Sequence, residues 1–242
     1  MLVIVVLVLA GFAGLLAGWF IFPFGIRRIS ESRLMRLCKE QKAIVLSYDD
    51  GPGPALTLRL LDILKNRGVA TFFVLGRSAE TNGQVVSRAV GEGHEVGSHS
   101  FHHSNAWKVW PGRAARDLAA GIRTVRGLGG NGNLFRPPYG KLTLATLIDC
   151  LVRRQSLGWW TIDSKDTKNS GDRRPVEEII REIADNGGGV VLMHDFDKVP
   201  NPADSISHDD YVISLTGRII DFAEENGYRL MRLGDVLREA KE

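Results

Sequence analysis

The chain has 242 residues, of which 44% are hydrophobic and 24% are charged, and its formal net charge is only +3. This length and composition fit one globular domain with its own buried core. The basic excess is small and is partly collected in one short stretch, so nothing in the composition indicates a nucleic-acid binder. That stretch contains Arg27, Arg28, Arg33, Arg36 and Lys39.

The first segment in chain order is apolar. Residues 2–22 are 21 consecutive positions without a charged side chain, and a helix of that length spans about 30 Å of hydrocarbon. The pattern predicts a membrane anchor at 1–25 and a basic juxtamembrane segment at 26–41, with a cleaved signal peptide or a buried core helix as alternatives. The positive charges after the span argue for a cytoplasmic domain. A long domain can be translocated regardless of that bias, and we expect an extracytoplasmic one.

From residue 43 onward, short apolar runs alternate with segments of helical period, and Gly and Pro stand at the joins. The predicted strands are Ala43 to Tyr48, Val69 to Leu75, His94 to Val96, Leu134 to Arg136, Leu157 to Ile162, Gly189 to Met193 and Tyr228 to Arg232. The predicted helices are Ala55 to Asn66, Ala79 to Gly91, Arg113 to Gly127, Leu142 to Arg154, Pro175 to Asn186, Asp209 to Asn226 and Asp235 to Lys241. This alternation predicts an α/β fold, a single distorted (β/α) barrel of about seven parallel strands within residues 42–242.

Polar residues follow five of the predicted strands. In a parallel barrel or a doubly wound sheet, chemistry collects at the carboxyl ends of the strands. Five clusters are therefore expected to share one rim: Asp49 and Asp50, His99 to His103, Arg136 to Tyr139, Asp163 and Asp166, and His194 and Asp195.

Four of the six histidines fall within ten residues, at positions 94, 99, 102 and 103. His99 and His103 are four residues apart, so on a helical turn they would share one face and could chelate one metal ion. His102 offers a competing pair with His99. The alternative is a loop in which the histidines only form hydrogen bonds.

Two adjacent carboxylates, Asp49 and Asp50, stand where the first strand ends and a Gly-Pro turn begins. Adjacent side chains at a strand end point in different directions. One carboxylate could complete a metal site with two histidines while the other acts as a base. The alternative is a plain turn signal, since Asp-Gly is a common turn pair.

These residues resemble the NodB-type polysaccharide deacetylases, also called carbohydrate esterase family 4. The family blocks read T-F-D-D-G, H-[ST]-x-x-H, R-x-P-Y, D-x-x-D-W and L-x-x-H or L-x-H. The matching blocks occur in family order between residues 43 and 242. Each block is loose by itself, but five in order are specific, and residues 42–242 are expected to form one NodB homology domain.

The resemblance implies that Asp49 is the catalytic base and that Asp50, His99 and His103 hold one divalent metal ion. Zinc is the expected ion, and Co²⁺ or Ni²⁺ would also suit these ligands. A site with three protein ligands keeps an open position for water, whose pKa falls to about 7 on zinc.

The third block is Arg136-Pro-Pro-Tyr139. By resemblance, Arg136 pairs with Asp49, and the backbone N–H of Tyr139 helps to stabilise the oxyanion. Without that context, the same residues would be a rigid loop.

The last two blocks imply a general acid for the reaction. His194 would protonate the departing amine, and Asp166 would raise the pKa of that imidazole. The sequence departs from the family at Thr167, where the family has a tryptophan beside the acyl pocket, so the shape of this pocket is open. Trp159 and Trp160 are interpreted as structural residues of the fifth strand.

The expected reaction is metal-dependent hydrolysis of the N-acetyl amide of an amino sugar in a polysaccharide, releasing acetate and the free amine. Two alternatives are a deacylase or deformylase of a lipid-linked amino sugar and a non-catalytic glycan-binding barrel. The expected partners are an amino-sugar polysaccharide or glycolipid and, through the N-terminal helix, a membrane, but no nucleic acid. Asp195, Asp197 and His208 are interpreted as solvated loop groups rather than a second metal site. Trp107 and Trp110 could stack on a sugar ring but could equally pin a loop.

Overall fold

A computed structural model describes the backbone of residues 1–239, and the side chains of that range except those of residues 2, 3, 7–10, 12, 13, 15 and 239. Every strand pair in this range is parallel. The order across the sheet is β5-β4-β3-β2-β1-β7-β6, and β8 pairs with β1 beside this path. The strands are β1 (Ala43–Asp49), β2 (Ala70–Val74), β3 (Glu95–Ser98), β4 (Leu134–Phe135), β5 (Ser156–Leu157), β6 (Ile162–Asp163), β7 (Gly189–His194) and β8 (Arg229–Leu230).

The predicted parallel α/β architecture is confirmed, and the barrel is open. Its two sheet ends are β5 and β6, which are consecutive in the chain and joined by residues 158–161. The prediction of one strand from Leu157 to Ile162 was therefore wrong. The carbonyls of Gly158 and Trp159 accept hydrogen bonds from the buried guanidinium of Arg136, at 3.2 Å each, in place of a strand partner.

Helices cover the sheet, some packing on its outer side and some against its inner core. They are α1 (Leu2–Glu40), α2 (Leu56–Leu64), α3 (Gly76–Thr81), α4 (Gly83–Gly91), α5 (Pro111–Gly127), α6 (Leu144–Val152), α7 (Val176–Asn186), α8 (His208–Asn226) and α9 (Leu233–Glu239). The helix predicted at 79–91 is divided into α3 and α4 at Asn82, where the backbone leaves helical geometry. The last predicted helix corresponds to α9, and residues 240–242 lie outside the described range.

Strand β1 is buried along its whole length, and its alternate side chains enter two different cores. Ile44, Leu46 and Tyr48 pack with the outer helices. Ala43 and Val45 lie in the inner core. Because side chains alternate along a strand, Asp49 shares the inner face with Val45, at the carboxyl end of the strand.

The second half of α1 packs against the domain. Leu34, Leu37 and Cys38 belong to the inner core, so the segment predicted as juxtamembrane, 26–41, is partly buried and is helical as far as Glu40. Earlier in α1, Phe20 contacts Trp107 edge to face at 5.3 Å between ring centroids.

No helix in the part of the chain that the structure describes is long and apolar enough to cross a membrane. The predicted membrane anchor at 1–25 is therefore not supported. Nine side chains of the predicted span, at 2, 3, 7–10, 12, 13 and 15, lie outside the described ones.

Candidate active site

Asp50, His99 and His103 converge at the carboxyl ends of β1 and β3. Oδ1 of Asp50 lies 3.6 Å from Nε2 of His99 and 3.3 Å from Nε2 of His103. Three ligands placed 2.0–2.1 Å from a tetrahedral zinc ion are about 3.3 Å apart. The two histidines predicted as a ligand pair are thus brought together with the predicted carboxylate, although they lie on a loop and not on a helical turn.

The surroundings of these three residues fit a cation. Oδ1 of Asp50 is buried without a hydrogen-bond partner among the described residues. Burial lowers the pKa of His99 to about 3, which keeps its imidazole neutral. Its Nδ1 lies 2.8 Å from the carbonyl of Arg136, so the proton belongs on Nδ1 and the Nε2 lone pair faces Asp50. In metal sites, a hydrogen bond from the other ring nitrogen to a carbonyl or carboxylate orients the histidine ligand.

Asp49 is held by a buried guanidinium. Nη1 of Arg136 donates to Oδ1 of Asp49 at 2.7 Å and to the hydroxyl of Ser47 at 3.1 Å. The guanidinium also lies 4.0 Å from the ring centre of Phe73. Burial raises the pKa of Asp49, against the opposing effect of Arg136, so this carboxyl takes up a proton more readily than an exposed aspartate.

His194 and Asp166 form the predicted pair. Nδ1 of His194 lies 3.0 Å from Oδ1 of Asp166, and the backbone N–H of His194 donates to Oδ2 at 2.8 Å. Burial acts to lower the pKa of His194, but the Asp166 carboxylate, with smaller contributions from Asp49 and Asp50, raises it to about 10. Burial acts to raise the pKa of Asp166, but the nearby imidazoles lower it.

His208 belongs to this cluster, and its interpretation as a solvated loop group was wrong. The residue is buried, and its Nε2 lies 3.1 Å from Oδ2 of Asp166. It begins α8 and reaches Asp166 across 42 positions of sequence, so no local pattern could have identified it.

Asp195 was also misinterpreted, because it is fully buried. Its Oδ1 accepts from the N–H of Gly51 at 3.1 Å, and its Oδ2 accepts from the hydroxyl of Thr57 at 2.7 Å. Its own N–H donates to the carbonyl of Asp49 at 3.1 Å. Burial raises the pKa of Asp195 to about 7. Asp195 therefore connects the end of β7 to the turn that carries Asp49 and Asp50.

Asp197 is an exposed loop residue, as expected, and its carboxylate also caps a helix. Its Oδ1 accepts from the backbone N–H of Leu56 at 2.8 Å, and its Oδ2 accepts from that of Ala55 at 3.0 Å. Because the first N–H groups of a helix lack partners inside the helix, this carboxylate stabilises the start of α2.

The turn that carries Tyr139 is contacted by the N-terminal helix. Tyr139 has a left-handed backbone, with φ of 58°, and its ring centre lies 4.4 Å from that of the His103 imidazole. Nη1 of Arg27 donates to the carbonyl of Gly140 at 2.7 Å. The same guanidinium lies 4.6 Å from the ring centre of Trp160. The sequence did not predict a contact between α1 and this turn.

The tryptophans singled out in the sequence, and Thr167, occupy different places. Trp159 is buried in the inner core, and Trp160 packs beside it, as expected for structural residues, but both lie in the connection between β5 and β6. Thr167 is exposed, and its carbonyl accepts from Nζ of Lys198. Trp107 pins a loop, because its indole N–H donates to the carbonyl of Leu142 at 2.8 Å.

Comparison with known proteins connects this arrangement to one family. The sequence model of the polysaccharide deacetylase family matches residues 36–151. A chitin deacetylase of Colletotrichum lindemuthianum is 30% identical over 237 residues, which cover 91% of this chain and 89% of that protein. A peptidoglycan-N-acetylglucosamine deacetylase of Bacillus cereus is 28% identical over 203 residues, which cover 82% of this chain and 89% of that protein.

Solved structures give the same result. The crystal structure of the Bc1960 peptidoglycan N-acetylglucosamine deacetylase matches with a TM-score of 0.70 at 26% identity, covering 82% of this chain and 89% of that one. Some longer peptidoglycan deacetylases are also similar, and the chain spans 32% to 34% of their length. The shared fold, the matching sequence model and the extent of these alignments show that the chain belongs to the polysaccharide deacetylase family, the NodB-type hydrolases of carbohydrate esterase family 4.

Proposed function

We propose that this protein hydrolyses the N-acetyl amide of an amino sugar in a polysaccharide, releasing acetate and the free amine, and that it depends on one divalent metal ion. The observation that carries the proposal is the position of Asp49 and His194 beside Asp50, His99 and His103. Relatives that act on peptidoglycan and on chitin support the reaction class.

Asp50, His99 and His103 would hold the ion. When bound, a divalent ion polarises the amide carbonyl and lowers the pKa of water, and zinc is the ion that this set of ligands suits best.

Asp49 would take the proton from the attacking water. Its carboxylate is held by Arg136, and its other oxygen, Oδ2, lies 3.7 Å from Nε2 of His99. A base must lie within hydrogen-bond reach of the proton it removes, and a fixed carboxylate beside the ligands meets this requirement. The backbone N–H of Tyr139 would donate to the oxygen of the tetrahedral intermediate.

His194 would deliver a proton to the departing amine. With a pKa raised to about 10, its imidazole carries that proton at neutral pH. Asp166 fixes the ring through Nδ1, which leaves Nε2 to donate. Base and acid would thus stand on adjacent strands on either side of the scissile bond.

The experiment that tests the proposal measures acetate and formate release from chitooligosaccharides, peptidoglycan and a lipid-linked N-acylated amino sugar. The full chain is stripped with a chelator and reloaded with Zn²⁺, Co²⁺ or Ni²⁺. We expect acetate release only in the loaded protein, and release slower by roughly 10²-fold or more from Asp49→Asn. Activity that survives complete metal removal would contradict the metal-dependent mechanism.

The same panel separates the other hypotheses. Release confined to the lipid-linked sugar would favour the glycolipid deacylase or deformylase, and binding without release from any substrate would favour a glycan-binding barrel. The extracytoplasmic location stays a proposal, and protease accessibility in intact cells tests it.

A further inference from the structure

A cleft lined by arginines lies against the loop that carries the proposed metal ligands. Its volume is about 780 Å³, and it is lined in part by His102 and Ser104, the neighbours of His103 in the chain. We name it the arginine cleft. Its charged side chains, apart from that of Asp117, are Arg113, Arg116, Arg123 and Arg153.

Three of these arginines share one face of α5. Arg113, Arg116 and Arg123 are separated by three and seven positions, a spacing that places side chains on the same side of a helix. All three are exposed, and none has a carboxylate partner among the described residues. Elsewhere on the surface, Arg67 pairs with both Asp221 and Glu224. The α5 arginines therefore form an unneutralised positive surface.

The one acidic residue in the cleft does not neutralise them. Asp117 is buried, and its carboxylate accepts from the backbone N–H groups of His102 and Ser104, at 2.9 Å and 3.1 Å. It also lies 2.9 Å from Nδ1 of His102. Asp117 thus fastens the ligand loop to α5. The like charges on the exposed face repel one another in the free protein, and a bound anion would relieve that repulsion.

An exposed aromatic residue stands at the catalytic end of the same helix. Trp110 precedes α5, is 85% exposed and accepts from the backbone N–H of Arg113 through its carbonyl. Because α5 follows β3, this end of the helix faces the rim where the active site lies. An exposed indole face suits packing against a sugar ring. Trp110 and the three arginines therefore form a path of about 20 Å that leads away from the rim.

We infer that the arginine cleft binds anionic oxygen groups, carboxylates or phosphodiesters, of the glycan strand that is deacetylated at the rim. The guanidinium fork matches such groups in a bidentate manner. A neutral polymer such as chitin has nothing to place in the cleft, whereas peptidoglycan strands carry carboxylates on their peptides. The identity of the ligand as a glycan rests on the proposed function.

The test compares two variants of the full chain with equal loss of charge. The first is Arg113→Gln/Arg116→Gln/Arg123→Gln. The second, a matched control, is Arg33→Gln/Arg36→Gln/Arg181→Gln, which removes exposed arginines from α1 and α7. Three probes are used: peptidoglycan strands with intact peptides, the same strands after amidation of their carboxylates, and a chitooligosaccharide. Inorganic polyphosphate serves as a competitor.

We expect the α5 variant to lose at least about tenfold in kcat/KM on intact strands, mainly through KM, because several charged contacts are removed. Its kcat/KM on amidated strands and on the chitooligosaccharide should stay within about twofold of the unsubstituted chain, as should that of the control on all three. Equal losses on charged and neutral probes, or none, would overturn the inference. Competition by polyphosphate that matches or exceeds that of carboxylate strands would point to phosphate oxygens rather than carboxylates as the groups that the cleft binds.

Binding separates this inference from the proposed function. Affinity for intact and amidated strands is measured in the Asp49→Asn background, where no turnover is needed. Selective binding that disappears in the α5 variant supports the cleft even if the chain deacetylates none of the probes. If the triple variant unfolds, the single substitution Arg123→Gln provides a milder one. A similar affinity of the Asp49→Asn protein for intact and amidated strands would overturn the inference.

Discussion

Asp49 and His194 are directly paired in the register between β1 and β7, so their side chains leave two adjacent parallel strands at the same height. Both face the inner side of the open barrel, because alternate residues of each strand enter the inner core. A proton acceptor and a proton donor are thereby placed beside the Asp50, His99 and His103 cluster by backbone hydrogen bonds. This arrangement underlies the proposed division into base and acid.

The first prediction separates the two adjacent carboxylates. Asp50→Asn removes a charged ligand, so we expect the bound zinc to fall well below one ion per chain. Asp49→Asn leaves the three ligands in place and should retain the zinc while kcat falls by roughly 10²-fold or more, the usual loss for a general base. Metal content after dialysis and rates on an active substrate check both statements. Equal zinc contents in the two variants would refute the assignment.

The second prediction concerns the alkaline limb of the pH–rate profile. The pKa of His194 is raised to about 10, with Asp166 as the main cause that raises it. Asp166→Asn removes this charge, so the alkaline limb of kcat/KM should move down by about 1 to 3 pH units, the usual effect of one nearby opposite charge. Profiles of both proteins at equal metal loading provide the measurement. A limb that does not move would show that His194 is not the acid, or that Asp166 does not control it.

The third prediction follows from the same pair but concerns stability. Folded His194 keeps its proton to about pH 10, whereas an unfolded histidine loses it near its ordinary pKa of 6.5. The folded state thus binds more protons across this window, so its free energy of unfolding should fall as pH rises from about 6.5 to about 10. Urea unfolding at several pH values measures the slope, with Asp166→Asn as control. The variant should show a flatter dependence, and identical slopes would count against the pair.

The fourth prediction concerns the connection made by Asp195. Asp195→Ala leaves the N–H of Gly51 and the hydroxyl of Thr57 without this acceptor, so we expect a loss of about 2 to 4 kcal/mol in the free energy of unfolding. Activity should fall as well, because Gly51 follows the two carboxylates directly. Asp195→Asn retains an acceptor and the side-chain volume and should cost much less. Chemical unfolding of the three proteins checks the order, and equal stabilities would contradict it.

The fifth prediction concerns the contact between α1 and the Tyr139 turn. Arg27→Ala removes the hydrogen bond to Gly140 and the contact with Trp160, so kcat/KM should fall by roughly 5- to 30-fold, which corresponds to a loss of about 1 to 2 kcal/mol. Arg28→Ala is a matched control, because Arg28 is exposed and pairs with Glu31 on the same helix. Equal activities in the two variants would show that the contact does not support the site.

Much of the candidate site could be predicted from the sequence. Asp49, Asp50, His99, His103 and His194 all lie in short local patterns at strand ends, and the carboxyl ends of parallel strands meet at one rim. Correct prediction of the strands was therefore enough to place these residues near one another. The helical turn expected for His99 and His103 was wrong, since the convergence is produced by a loop in which His103 adopts a positive φ of 63°.

Other residues could be placed only by the tertiary structure. His208 reaches Asp166, and Arg27 reaches Gly140, across 42 and 113 positions of sequence. The connection between β5 and β6 is likewise held by Arg136, whose guanidinium donates to the carbonyls of Gly158 and Trp159 across 22 and 23 positions of sequence. By itself, the sequence determined the order of the elements and the chemistry at the strand ends, because both follow from local periodicity and residue type. The tertiary structure decided which distant buried groups support them, since a buried polar group takes whichever partner the packed chain brings within reach.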